Sequence, residues 1–222
     1  MDSITTSFAA EADREAILHF MLGDFLENES LNGALDLKKE ESRSLFIYLI
    51  QKGVKSGTSL LLKNGQGSII GLRLSSFLDR PNGEEKEEEE NDENLEFDHK
   101  AVLIDGLLQK LEDGRWDRIP SEVNRLFYVI VISVQSHYTR RGLGKVLLEY
   151  GMDKVREAGA TAILSEATAM KSQALFAKHG YSILNEIRHE DHVDKEGKRI
   201  FNCPDGTNSA QLVFKYINNE SN

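Results

Sequence analysis

The chain has 222 residues, 40% of them hydrophobic and 29% charged, with a formal net charge of −10 at pH 7. That is the composition of a soluble globular protein with enough chain for a sizeable core, expected here as a single domain over residues 1–222. The lone Cys203 excludes an intrachain disulfide and a cysteine-rich zinc site, no apolar run approaches the roughly 20 residues that span a bilayer, and the opening residues lack the basic and apolar regions of a secretory signal, so a cytoplasmic protein with no membrane partner is expected.

In chain order, Asp13 to Leu26 sets Ile17, Phe20, Met21, Leu22 and Phe25 at helical spacing, and a second helical stretch runs from about Lys38 to Lys52. Two helices are thus predicted ahead of the sheet. Thr58 to Lys63 and Ser68 to Phe77 are apolar and separated by Asn64-Gly65-Gln66-Gly67, which predicts a hairpin. Glu84 to Asp98 then hold ten acidic side chains against Lys86, so this segment carries nine of the ten net negative charges. Like charges at this density repel, and a solvated, mobile insertion at 81–99 is predicted, either as a plain surface loop or as a field attracting a cationic substrate or basic partner. The rest of the chain lacks the basic stripe of a nucleic-acid surface.

Ala101 to Glu112 reads as a helix ended by Asp113-Gly114. Leu126 to Val134 is a nearly unbroken β-branched and aromatic run, the pattern of a central strand buried on both faces. Gly142 to Ala158 reads as one amphipathic helix, Thr161 to Glu166 as a short strand, Met170 to His179 as a helix, and Tyr181 to Ile187 and Gln211 to Ile217 as closing strands. The alternation predicts an α/β or α+β domain around one mixed sheet.

Chemistry concentrates where the central strand meets its helix, in His137-Tyr138-Thr139-Arg140-Arg141-Gly142-Leu143-Gly144-Lys145. Two glycines permit close approach of a ligand, the first amides of a helix lack intrahelical partners, and Arg140, Arg141 and Lys145 add positive charge, so a phosphate-bearing ligand is expected. A Walker A loop would need Gly at Thr139 and Ser or Thr at Val146, and a dinucleotide fingerprint would need Gly at Leu147. Neither motif is present.

Val131 to Leu148, followed about twenty residues later by Ser172-Gln173-Ala174-Leu175-Phe176-Ala177-Lys178-His179-Gly180-Tyr181, resembles the two consecutive motifs of the GNAT superfamily of acetyl-CoA-dependent acyltransferases. The loop is similar to its Q/R-x-x-G-x-G/A pyrophosphate segment, with Thr139 where Arg or Gln is usual, and the later helix ends in the family's Gly-aromatic pair. Phe25-Leu26-Glu27-Asn28-Glu29-Ser30-Leu31-Asn32 is similar to the D-E-P-L-N segment of insect-type arylalkylamine N-acetyltransferases. The resemblance implies the GNAT fold, a twisted, mostly antiparallel mixed sheet flanked by helices. It also implies acetyl-CoA as co-substrate, and transfer of its acetyl group to a small primary amine such as dopamine, tyramine or serotonin. Glu29 would be the general base, with Thr168 and Ser172 as assisting hydroxyls. Ile132, Ser133 and Val134 would hold the pantetheine arm, and Thr139, Arg140, Arg141, Gly142, Leu143, Gly144 and Lys145 the pyrophosphate, with Ser172 beside the thiol end. Phe176 and Ala169 stand where many members carry a tyrosine acid and an asparagine, so Ser172 is the candidate donor to the departing thiolate. A module that binds acyl-CoA without small-amine turnover, or that acetylates a protein, is the alternative.

A primary alkylamine is protonated near neutrality and only its free base attacks, so some group must take a proton. Partial burial would raise Glu29 toward the useful range. Direct attack is expected over an acetyl-cysteine route, because no activating base is recognisable near Cys203. Plain readings stand beside these: Glu29 as an exposed carboxylate at a helix end, Ser172 as a helix cap, His137 as a solvent-facing turn residue, and His189 and His192 as a polar edge with no metal bound. Trp116 and Phe201 fit either a pocket lining or the core. Both monomer and homodimer remain open.

Overall fold

The computed structural model describes residues 3–81 and 95–217, so most of the acidic insertion expected at 81–99 lies outside the described residues. One seven-stranded sheet is formed by β1 (Thr5–Phe8), β2 (Leu60–Lys63), β3 (Ile69–Asp79), β4 (Arg125–Val134), β5 (Ala162–Ala167), β6 (Ser182–Arg188) and β7 (Ser209–Tyr216), in the order β1-β2-β3-β4-β5-β7-β6. All neighbouring pairs are antiparallel except β4 and β5. The helices are α1 (Arg14–Phe20), α2 (Leu26–Asn28), α3 (Ser30–Ala34), α4 (Lys39–Lys55), α5 (His99–Glu112), α6 (Arg115–Arg118), α7 (Leu143–Glu149), α8 (Met152–Glu157) and α9 (Met170–Lys178). α7 and α8 supply the crossover that a parallel pair requires.

Alternate side chains of β4 serve opposite layers, which is why its sequence is apolar throughout. Leu126 and Tyr128 pack with Phe46 and Ile50 of α4 and Leu107 of α5, whereas Phe127 and Val129 pack with Leu148, Val155 and Phe176 from α7, α8 and α9. Two features then open a cavity beside this strand. The register with β3 shifts between Leu74↔Val131 and Ser75↔Val129, leaving Ile130 bulged. The parallel ladder with β5 covers only Leu126–Val129 against Ala162–Ser165. A bulge bends and twists its strand, and past it Ile130–Val134 and the end of β5 splay apart.

The sheet begins earlier than the sequence predicts. β1 precedes both N-terminal helices, and its four residues, Thr-Thr-Ser-Phe, are too polar and too few to announce a strand. The helix predicted over 13–26 is interrupted by a π-helical turn at Met21–Phe25, where Gly23 leaves helical geometry (φ −101°, ψ −109°). Such turns locally widen a helix, and here the widening brings Asp24 to Ser136 after β4. Its Oδ1 accepts from the Ser136 amide at 3.0 Å and from Oγ at 2.6 Å.

The helix predicted over 142–158 is also not continuous. It breaks at Tyr150-Gly151, where Gly151 has φ +77° and an added Cβ would stand 2.8 Å from the Phe8 ring. A break frees carbonyls, which must find donors when buried. The wholly buried Arg73 of β3 supplies them, donating to Leu147 O at 2.5 Å, Tyr150 O at 3.3 Å and Thr58 O at 3.0 Å while lying over the Phe127 ring. Burial pulls its pKa down to about 10, still charged near neutrality.

Candidate active site

The splay between β4 and β5 holds a cavity of about 300 Å³. Val131–Val134 line one side, Glu166, Thr168 and Ser172 another, and Thr139 and Gly144 one end. The remaining walls come from Phe25, Leu31, Leu45, Phe46, Leu49, Ile104 and Leu108. Most of this surface is apolar, so the few polar groups that reach it stand out chemically.

Glu29 is placed by a change of backbone direction between two short helices. α2 ends at Asn28, Glu29 is extended, and its side chain caps α3, Oε2 accepting from the Asn32 amide at 2.8 Å. Oε1 accepts from Thr168 Oγ1 at 2.9 Å. Burial is the largest influence on this carboxyl and raises its pKa; the amides of Asn32 and Leu31 and the Thr168 hydroxyl oppose it, and nearby Asp205 adds to the rise. The net direction is upward, toward the range of a working base. Glu29 is partly buried at the cavity wall, so the reading of it as an exposed carboxylate does not describe this structure.

Two residues the sequence does not single out, Asp205 and Thr207, join Ser30 in holding that corner together. Asp205 accepts from Ser30 Oγ at 2.7 Å and from Thr207 Oγ1 at 2.9 Å, and Thr207 Oγ1 accepts from the Met170 amide at 3.0 Å. The start of α3 is thereby tied to the start of α9. No local pattern signals a contact between residues so far apart in sequence. Ser172 Oγ donates to Ala169 O at 2.8 Å and accepts from its amide at 3.3 Å, closing the first turn of α9. It therefore caps the helix while also lining the cavity.

At the other end, the loop after β4 is shaped by backbone. Thr139 is tied back to Ser136 O at 2.9 Å, Arg140 has φ +62°, Gly142 has φ +80°, and α7 begins at Leu143. Left-handed residues in such a loop turn successive amides toward one concavity, and the first amides of α7 have no intrahelical acceptor. Nothing lies within 4 Å of where a Gly142 Cβ would be, so the concavity is open. Gly144 serves differently: its Cβ would meet the Leu175 side chain at 3.1 Å, so this glycine admits α9 rather than a ligand. Lys145 is ion-paired with Glu149 at 3.6 Å, Arg141 lies over Tyr138, and Arg140 is exposed. Open amides with exposed cations suit a diphosphate.

Other candidates fall elsewhere. His189 and His192 are buried against Phe201, His192 stacked at 5.6 Å, and do not form the polar edge expected from their charged neighbours. The chain folds back over Phe201 there, with the His189 amide bonded to Asn208 O. Phe201 is thus core, and Trp116 lies under the Arg80 guanidinium, away from the cavity lining. His137 is exposed, as its turn position predicts. Burial, with Asp205 and Glu29 nearby, pushes the Cys203 thiol up to about 12. Among the described residues no group of three or more His, Cys, Asp or Glu side chains is poised for a metal, and no helix is long and apolar enough to cross a membrane. Sequence reading also missed Glu166, although an acid inside Ala-Ile-Leu-Ser-Glu-Ala is a visible irregularity in a core strand.

Residues 110–181 match the model of the acetyltransferase (GNAT) family. No curated protein matches the chain. Among solved structures, arylalkylamine N-acetyltransferase 2 from Aedes aegypti superposes with a TM-score of 0.84 at 22% identity, over 97% of this chain and 100% of that one. The polyamine N-acetyltransferase of Drosophila melanogaster, which forms N-acetylagmatine, gives 0.76 at 20% identity over 97% and 100%. The C-terminal condensation domain of Ebony, in complex with β-alanyl-dopamine, gives 0.71 at 16% identity over 98% and 100%.

Proposed function

We propose, from the match of residues 110–181 to the GNAT acetyltransferase model, that the chain is an acyltransferase that moves the acetyl group of acetyl-CoA to the primary amine of a small arylalkylamine such as dopamine, tyramine or serotonin. The observation that carries this reading is Glu29, a carboxylate of raised pKa bonded to Thr168 and to the Asn32 amide, facing an apolar cavity of about 300 Å³ beside the β4 splay. A cavity of this size with aromatic and aliphatic walls suits a small amine better than a peptide. One of the superposed enzymes acts on arylalkylamines and another on polyamines, which supports a small amine as acceptor.

Acetyl-CoA supplies the acyl group as a thioester. Its diphosphate fits the concavity of Arg140–Gly144, with Thr139, Arg141, Leu143, Gly144 and Lys145 around it, and its pantetheine arm fits the free edge of Ile132, Ser133 and Val134. An edge amide there is suited to the thioester oxygen, where negative charge develops. Glu29 takes the proton from the amine, directly or through a water, and Thr168 holds the carboxylate in place for it. Ser172, lining the cavity at the start of α9, is the candidate donor to the departing thiolate. Attack is direct, because Cys203 is held as a thiol and lies outside the cavity lining.

Mixing the protein with acetyl-CoA and a panel of amines and peptides, and following free thiol, tests the reading. Thiol release with arylalkylamines and not with peptides is expected. Release with peptides only would replace the acceptor class, and coenzyme A binding without release would leave a binding module.

A further inference from the structure

β5 is buried and apolar apart from Ser165, whose hydroxyl donates to Val129 O, and Glu166, which faces the cavity where the strands begin to part. A carboxyl in such surroundings is disfavoured unless it is provided for, and this one is. Tyr128 of β4, 8% exposed, donates its hydroxyl to Glu166 Oε2 at 2.5 Å. Glu112 at the end of α5 stands beside it and is itself paired with Arg115 at 2.6 Å. Burial first, and the Glu112 carboxylate second, push Glu166 well above the usual carboxylate range, against the opposing Tyr128 hydroxyl and Lys52. A protonated carboxyl offers one O–H and keeps acceptor capacity on its other oxygen.

The placement relative to Glu29 gives this group a use. Glu166 and Thr168 are two residues apart and both line the cavity, an advance of about 7 Å along a strand. Thr168 in turn touches Glu29. The cavity wall thus carries the Glu29 carboxyl beside Thr168 and, two residues back along the chain, the Glu166 carboxyl bonded to Tyr128, with Phe25, Phe46, Leu49 and Leu108 among the other walls. With Thr168 bonded to Glu29, that advance of about 7 Å from Thr168 to Glu166 is of the order of the span from the amino nitrogen to the para oxygen of a hydroxyphenylethylamine. A second ammonium at the Glu166 end would find the Glu112 charge already matched by Arg115 and would have Lys52 nearby, 5.9 Å from the Tyr128 ring centre. A hydroxyl carries no such penalty.

We propose that Glu166, oriented by Tyr128, is the specificity-determining group of the acceptor pocket and selects amines whose aromatic ring carries a hydroxyl opposite the aminoalkyl chain. This rests on the acceptor reading above and narrows it. A site built to hydrogen-bond a hydroxyl rejects the analogue that lacks it, because its buried polar groups are then left unpaired.

The test compares kcat/KM for tyramine, phenethylamine and cadaverine in the native protein and in Glu166→Gln, Glu166→Leu and Tyr128→Phe. Ratios between substrates within one variant do not depend on the folded fraction, so a partly unstable variant still answers. The native protein is expected to favour tyramine over phenethylamine by at least about tenfold. Glu166→Leu brings that ratio to near one, Tyr128→Phe lowers it, and Glu166→Gln, which keeps a donor and an acceptor, retains most of it. A ratio unchanged in Glu166→Leu overturns the proposal while leaving amine acetylation standing. A preference for cadaverine that Glu166→Leu abolishes overturns it in favour of a second cation. Absence of thiol release with all three amines removes the acceptor reading and this proposal together.

Discussion

The two ends of the cavity are built from different materials. At Arg140–Gly144 the working groups are backbone amides aimed by left-handed residues and a helix start, all within one short stretch of chain. At Glu29 they are side-chain atoms converging from α3, the end of β5 and the segment around Asp205–Thr207. A backbone concavity tolerates many side-chain changes and fails when a dihedral angle is forbidden. A side-chain cluster tolerates backbone adjustment and fails when one functional group is removed. On the proposed function, the first end would govern affinity for the co-substrate and the second the rate.

Removing the Glu29 carboxylate is the most severe way to break that division. Glu29→Gln keeps an acceptor for the Asn32 amide but cannot take a proton, so kcat should fall by about 10²–10⁴-fold with little change in KM for acetyl-CoA. Steady-state kinetics with both substrates varied decides it; an equal loss in acetyl-CoA affinity would merge the two ends. Gly142→Val attacks the other end, forcing a β-branched residue into φ +80°. Calorimetry should show coenzyme A affinity weakened by about tenfold or more, against kcat at saturation reduced far less.

Thr168→Val sharpens the comparison through pH. The Thr168 hydroxyl stabilises the ionised Glu29, so its loss raises a carboxyl pKa that burial has already lifted. The acid limb of kcat/KM, where activity appears as Glu29 loses its proton, should move to higher pH, with kcat at the plateau lower by about fivefold. Thr168→Ser should restore the limb. Smallest is Cys203→Ser: turnover should stay within about twofold, because a thiol outside the cavity lining takes no part. A large loss in that variant, with no change in thermal midpoint, would reopen a covalent route.

How far the sequence was readable follows the same division. The Gly142-x-Gly144 spacing and the apolar run of β4 are local signals set by backbone geometry and by burial on two faces, and both are legible in a string of residues. Glu29, Thr168 and Ser172 are legible only through resemblance to a family, and the bond between Glu29 and Thr168 joins segments whose courses depend on the interruption at Met21–Phe25 and on the β4 bulge at Ile130, which no periodicity announces. The break at Tyr150-Gly151 went unseen because the amphipathic pattern runs through it, while its cause, the Phe8 ring and the Arg73 guanidinium, lies in strands far away in sequence. The burial of His189 and His192 is hidden from the sequence for a related reason: their charged neighbours point to solvent, but the Phe201 side chain behind them decides otherwise.

The state of Cys203 has a practical consequence at the bench. With its thiol pushed up to about 12, very little of the sulfur is ionised near pH 8. A chromogenic disulfide reagent in the cuvette will therefore report liberated coenzyme with almost no background from the polypeptide, and prolonged exposure to that reagent should neither label nor inactivate the catalyst.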